Sequence, residues 1–461
     1  MPIFKQFTLI SDDIYRRLQR NEKRDYETAN KQQITDIRDY LELLDEEDKN
    51  NLLSNLSEIR IAHKNDYYDT NLGLSAIFCY FLENNYKNFI TIFTHNLITE
   101  NSLYLDPRMI LEEIFKHTFD EIKSFYKLIS KNEYNLKQEW IISFFTSIPF
   151  NQIDQFYYDE LNLFIKNGFN ALTYYFHFDP LLKYEKFKAG SFVEICRDLF
   201  ENRLNNKCRF FSLFNQFSDA SNEIPNLFQN HISLLKEIWI YALLEDSNID
   251  HKSTVLSWII NNDQSFFIEI MEARFKKDTF FYMHNDNRNY SFIWTLKNCF
   301  QIVDQLIIFF IQKSNIPWDM HVINSFFVLQ NEGLDLRNIQ IEYLESRIKD
   351  HCQDINFVNL LLIVIKSYFF DDYSRFLKAF LNCNKKFSDF ENLNIEFHSF
   401  SGNGTFIKSY TKLLRLWEKI LSLLDETNFL KHRLYVNKKI EIWSKLVSEE
   451  KKKGFHFDHR F

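Results

Sequence analysis

Hydrophobic positions along this chain recur at steps of three and four. Phe228, Ile232, Leu235, Trp239 and Ala242 form one such set. Phe406, Tyr410, Leu413, Trp417, Ile420 and Leu424 form another, and Val436, Ile440, Trp443 and Val447 a third. Each lays one apolar stripe along a helix. Phe357 to Phe370 is apolar on all sides, which predicts a helix covered by neighbours all round. Period-two alternation is confined to two short stretches, Ile395-Glu396-Phe397-His398 and Thr279 to Met283.

Breakers are sparse. Pro107, Pro149, Pro180, Pro225 and Pro317, with Asn84-Asn85, Asn205-Asn206, Asn261-Asn262-Asp263 and Asn285 to Asn289, leave segments one or two helices long. That rhythm predicts an all-α fold, an irregular helical-repeat (solenoid-like) array of stacked helical hairpins. No repeated consensus accompanies it. A single irregular helical globule and a domain containing a sheet are the alternatives. Composition weighs against the sheet. The 461 residues include 50 Phe and 23 Tyr, against 9 Val, 9 Ala, 7 Gly and 6 Pro. Seven glycines cannot supply many hairpin turns or a dinucleotide fold, and nine valines do not suit a buried parallel sheet. Bulky side chains at helix contacts hold axes toward the wide end of the usual 8–10 Å.

Three regions follow: a polar helical segment at 1–70, an aromatic-rich helical array at 71–400, and a basic helical pair with a charged tail at 401–461. Asp45-Glu46-Glu47-Asp48 marks a helix junction. Residues 408–461 hold 13 Lys and Arg against 7 Asp and Glu, a net of +6, while the remainder carries −14. Such asymmetry fits a self-complementary assembly or an anionic partner at one end. The apolar stretches Ile293–Ile311 and Phe357–Phe370 contain charges or are too short to span a bilayer, so both read as buried helices. Met1 to Ile10 is followed by Asp12, Asp13, Arg16 and Arg17, without the apolar core of a signal peptide. Six scattered cysteines fit reduced thiols in a cytoplasmic protein.

Few motifs carry chemistry. Ser401-Gly402-Asn403-Gly404-Thr405-Phe406-Ile407-Lys408-Ser409 has the setting of a phosphate loop, but Ile407 stands where a Gly must precede the Lys. A turn into a helix capped by Thr405 is the plainer reading. The thirteen histidines lack metal-site spacing, including His177, His456 and His459. Arg347 and His351 lie one turn apart and read as a surface Arg and a partly covered His. Asp371-Asp372 suits a helix start. No Ser nucleophile elbow occurs, and Cys196 and Cys208 have no nearby His. No catalytic, cofactor-binding or metal-binding residue is therefore assigned.

The most informative polar feature is Lys408, Lys412, Arg415 and Lys419. Steps of 4, 3 and 4 place them on one face of a helix over 405–424, opposite Leu413, Leu414, Trp417 and Leu421. A solvated helix face is the bland reading. A docking surface for acidic protein or nucleic acid is the functional one.

Residues from about 250 to the end resemble the carboxy-terminal helical-repeat regions of bacterial antiphage NTPases of the STAND (AVAST-like) class. The resemblance is carried by Val255-Leu256-Ser257-Trp258-Ile259-Ile260-Asn261-Asn262-Asp263, by the turn Ser401-Gly402-Asn403-Gly404-Thr405, and by His432-Arg433 through Glu449-Glu450. That family's P-loop is missing here, so the resemblance implies a target-sensing array or a separate subunit of a defence system. The sequence thus points to a non-catalytic recognition or scaffold protein with a protein partner, no membrane association, and nucleic acid as a further partner for the basic face. A bacterial effector that binds host proteins, and a helical nuclease or transferase with dispersed catalytic residues, are the alternatives.

Overall fold

A computed structural model describes residues 25–54, 71–98, 105–134, 136–169, 178–216, 223–246, 253–276, 290–313, 334–396 and 406–457, with positions 15, 56, 249–250, 323–324 and 326–327. The described residues form helices and turns, with no strand among them. The all-α expectation holds. Of the two alternating stretches, Ile395 and Glu396 lie outside any strand, and Phe397, His398 and Thr279 to Met283 fall outside the described residues. The chain divides into two compact units, Met1–Ile238 and Trp239–Phe461. Helices of eight residues or more are numbered in order.

The first unit contains α1 (Tyr26–Glu42), α2 (Glu46–Ser54), α3 (Asn71–Asn84), α4 (Tyr86–Ile98), α5 (Pro107–Ile114), α6 (Phe119–Lys131), α7 (Lys137–Ser147), α8 (Gln155–Asn167) and α9 (Ser191–Glu201), and reaches the start of α10 (Ile232–Glu245). Local sequence sets the ends of these helices. The Asp25 carboxylate accepts the Thr28 amide at 2.7 Å, and that bond holds its pKa below the ordinary value. Pro107 opens α5, with the Asp106 carboxylate accepting the Arg108 amide at 2.9 Å. Glu121 reaches back to the Thr118 amide and hydroxyl, a capping box. Gly190, at φ +83°, precedes α9, and Glu185 accepts the Gly190 and Phe192 amides at 2.7 and 3.0 Å.

The core grows around α3, buried from Leu74 through Leu82, on which α1, α4 and α5 pack. Phe78, Phe89, Phe93, Phe125 and Trp140 continue it, with Phe93 and Trp140 rings 5.0 Å apart. Ring pairs of this kind add about 0.5–1.5 kcal/mol beyond area burial. Polar bonds recur between the layers. The Tyr86 hydroxyl donates to the Glu121 carbonyl, Tyr126 to the Glu160 carboxylate, Tyr158 to the Glu194 carboxylate, and Arg197 meets His231. These bonds join α4 to α6, α6 to α8, α8 to α9, and α9 to the residue before α10. They span 34–36 residues of sequence.

The second unit continues with α11 (Thr254–Asn262), α12 (Phe266–Lys276), α13 (Cys299–Lys313), α14 (Leu334–Asp350), α15 (Ile355–Tyr368), α16 (Tyr373–Cys383), α17 (Ile407–Leu423) and α18 (Leu430–Phe457). The sequence reading of Ile293–Ile311 as one buried helix is corrected in part. Residues Ser291–Thr295 form a 3-10 turn, and the α-helix starts at Cys299. In that turn the indole N–H of Trp294 donates to the Phe326 carbonyl at 2.6 Å. Ile308 on α13 is exposed. The apolar helix α15 is covered nearly all round, as its composition predicts, with Lys366 among its buried residues.

α11 depends on Asp250. This fully buried carboxylate accepts the amides of Thr254, Val255 and Leu256 at 2.9, 3.4 and 2.8 Å. Those amides have no partner within the helix. Asp250 itself sits at φ +47° and Ser253 at φ +54°, a conformation that the bonds must sustain. Between later helices the bonds are charged. Asp304 on α13 takes the Tyr343 hydroxyl at 2.8 Å and pairs with Arg347 at 3.2 Å, both from α14. Arg375 on α16 pairs with Glu345 at 2.6 Å, and Arg337 on α14 with Asp372 at 3.0 Å.

Candidate basic docking face

α17 follows Phe406, and Thr405, the expected cap, lies outside the described residues together with 401–404. The helix contains neither Gly nor Pro and is built from strong helix formers. Leu413, Leu416, Trp417 and Ile420 are buried, while Leu414 and Leu421 are half-covered. α17 packs extensively along α18. The Trp417 ring meets Tyr435 at 6.0 Å, and Tyr410 meets Trp443 at 5.5 Å. Arg433 donates to the Leu424 carbonyl at 2.7 Å, just past the negative end of the α17 dipole. In the turn between the helices, Asp425 accepts the Asn428 amide at 2.7 Å, and this bond lowers its pKa. The basic stripe is thus carried on a helix anchored along its other side.

All four predicted residues, Lys408, Lys412, Arg415 and Lys419, are exposed. At 1.5 Å rise per residue the eleven steps from Lys408 to Lys419 cover about 16 Å. None pairs with a carboxylate among the described residues. The Lys412 ammonium lies 3.8 Å from the centre of the Phe370 ring, a cation–π contact that leaves its charge uncompensated. On α18, by contrast, three cations are paired: Lys439 meets Glu396 at 3.1 Å, Arg433 meets Glu426 at 3.3 Å, and Lys445 meets Glu449 at 4.0 Å. Lys431, Lys438, Lys451 and Lys452 of α18 are exposed without an ion pair among the described residues. Glu396 also accepts the Trp443 indole N–H at 2.8 Å.

The remaining sequence candidates are structural in character. Arg347 is committed to Asp304 and Asp350, and His351 stacks on Phe357 with ring centres 4.0 Å apart. Asp372 precedes α16 but meets Arg337 instead of capping the helix. Cys196 and Cys208 are buried, and burial raises the Cys196 thiol well above its ordinary pKa. His177 and His459 lie outside the described residues. Among the described residues no group of three or more His, Cys, Asp or Glu side chains is placed to hold a metal, and no helix is long and apolar enough to cross a membrane.

Two lysines that sequence reasoning passed over are strongly perturbed. Burial lowers Lys183 to about 7, and its ammonium donates to the Thr146 carbonyl at 2.8 Å. Burial lowers Lys366 to about 8, with the Asn394 and Glu396 carbonyls at 2.8 and 3.1 Å. The position of Lys366 inside an apolar run was a readable signal. Lys183 offered none. Both amines are spent on backbone carbonyls and act as staples.

The chain matches no protein-family model, no curated protein and no solved structure.

Proposed function

We propose that this protein is a non-catalytic recognition scaffold whose α17 face docks an acidic protein segment. The observation that supports it is the alignment of four cations on one face of α17, all exposed and none paired with a carboxylate among the described residues, whereas Arg433, Lys439 and Lys445 on α18 are paired. A patch of uncompensated charge raises the local concentration of an opposite partner and speeds encounter. The stripe covers about 16 Å of one helix, and residues 1–407 carry a net −14. A short acidic segment matches a stripe of that length. The polar bonds spaced 34–36 residues apart in the first unit support the solenoid-like form of the array. The narrower role, a sensor or subunit of an antiphage system, rests on the sequence resemblance.

The test titrates a labelled helical peptide bearing Glu at i, i+4, i+7 and i+11, and in parallel a single-stranded oligonucleotide. Wild type is compared with the K408E/K412E/R415E/K419E variant at low and high salt. Peptide binding should weaken at least about tenfold in the variant and shallowly with salt. Equal binding by both proteins returns α17 to a solvated face. Oligonucleotide binding with about one log unit lost per log unit of salt for each phosphate contact replaces the protein partner with nucleic acid.

A further inference from the structure

We propose that the acidic segment taken by α17 is the α1–α2 junction of a second copy of this chain, giving head-to-tail self-association. This deepens the docking reading above and rests on it. The junction presents Glu42, Asp45, Glu46, Glu47 and Asp48, all exposed, around Leu43, which is 82% exposed. Lys49 neutralises Glu46 at 3.2 Å. Glu42, Asp45, Glu47 and Asp48 have no cation partner among the described residues, so four carboxylates stand ready for four cations. Asp45 additionally accepts the Asp48 amide at 2.8 Å, which fixes the turn that displays them. An exposed leucine flanked in sequence by exposed carboxylates offers an apolar anchor with charged neighbours. Beside the basic stripe, Ile407, Thr411 and Leu414 are half-covered and offer Leu43 a surface to meet.

Charge at larger scale agrees. Residues 1–238 hold 27 Lys and Arg against 35 Asp and Glu, while residues 239–461 hold 28 of each, with the +6 excess confined to 408–461. The two surfaces are different patches of one chain, so the contact is heterologous. Such contacts build rings when the rotation closes and open chains when it does not.

Sedimentation of the full-length protein over a concentration series, at low and high salt, tests this. Wild type should form dimers and larger species at low salt and dissociate as salt rises. Two variants are compared, E42K/E47K/D48K and K408E/K412E/R415E/K419E, with circular dichroism confirming that both fold. The cap Asp45 is left intact. Each variant alone carries like charges on both surfaces and should lose association at least about tenfold. Mixed one to one, they should associate again, because the acidic junction of one meets the intact basic face of the other. A milder E42Q/E47Q/D48N variant should fall between wild type and the reversal. A wild type that stays monomeric at low salt, an association indifferent to salt, or a mixture that stays apart overturns the proposal. A monomeric wild type that still binds the acidic peptide through α17 overturns self-association alone and leaves the docking reading standing.

Discussion

The two units join their helices with bonds of similar reach and different charge. In the first, the ladder is built largely from tyrosine hydroxyls: Tyr126 to Glu160 and Tyr158 to Glu194. In the second, arginines take over: Arg337 to Asp372, Arg347 to Asp304, Arg375 to Glu345. Inter-helix ion pairs occur in the first unit too, at Arg38–Glu83 and Lys166–Asp198, and Lys188 reaches Glu194. The balance nonetheless differs. A hydroxyl satisfies a carboxylate without cancelling its charge, and the first unit keeps a net −8. Guanidinium partners cancel it, and the second unit is neutral with its surplus cations gathered late in the chain. The choice of donor between helices thus decides which inter-helix carboxylates keep their charge.

The largest effect is expected at Asp250, in the second unit. Replacing it with Ala strands three helix-start amides and releases two positive-φ residues, so unfolding by urea should show a loss of about 3 kcal/mol. A loss below about 1 kcal/mol would mean that α11 is held by packing alone.

The buried lysines offer the next largest effect, one in each unit. Both have folded pKa values below the unfolded value of 10.5, about 7 for Lys183 and about 8 for Lys366. Between those values and 10.5 the unfolded chain binds more protons, so stability should rise with pH across that window. The relief is on the order of 2–3 kcal/mol per lysine after allowance for residual hydration. Above about pH 10 the trend should reverse, because Tyr126 and Tyr184 have raised pKa values and are held un-ionised by burial. Melting temperatures from pH 6.5 to 10 check this. K183M and K366M should each flatten the rise, and an unchanged slope would show that the amines are hydrated.

Smaller effects sharpen the contrast of donors. Tyr126→Phe removes a hydroxyl donor from Glu160 and should cost about 1 kcal/mol. Tyr343→Phe leaves Asp304 still paired with Arg347, so its cost should be about half as large. Equal costs in chemical denaturation would mean that hydroxyl and guanidinium donors are interchangeable at these carboxylates. Least of all, K408E/K412E/R415E/K419E should leave stability nearly unchanged, since isolated surface changes stay within about ±0.5 kcal/mol each.

Helix periodicity made much of this legible. In the stripe from Phe228 to Ala242, Leu235, Trp239 and Ala242 are buried on α10, while Phe228 is buried in the turn before it. In that from Phe406 to Leu424, Leu413, Trp417, Ile420 and Leu424 are buried and Phe406 and Tyr410 half-covered. The basic face was legible for the same reason, because four residues at steps of 4, 3 and 4 share a face on any helix. Whether its charges were already paired was not, because pairing depends on which helices lie alongside. The ladder was invisible for that reason: Tyr126 and Glu160 lie 34 residues apart, and no local pattern links a hydroxyl to a carboxylate two helices on. The role of Asp250 follows from its complete burial, which sequence does not state.

The ladder also constrains how this chain could change its length. α6 and α8 each receive one polar bond and pass on another, at intervals of 34–36 residues. Losing or doubling a whole interval would leave every donor facing an acceptor, while losing half of one would strand a hydroxyl against the wrong helix. Insertions and deletions within residues 86–194 that keep this spacing should therefore be tolerated better than those that break it.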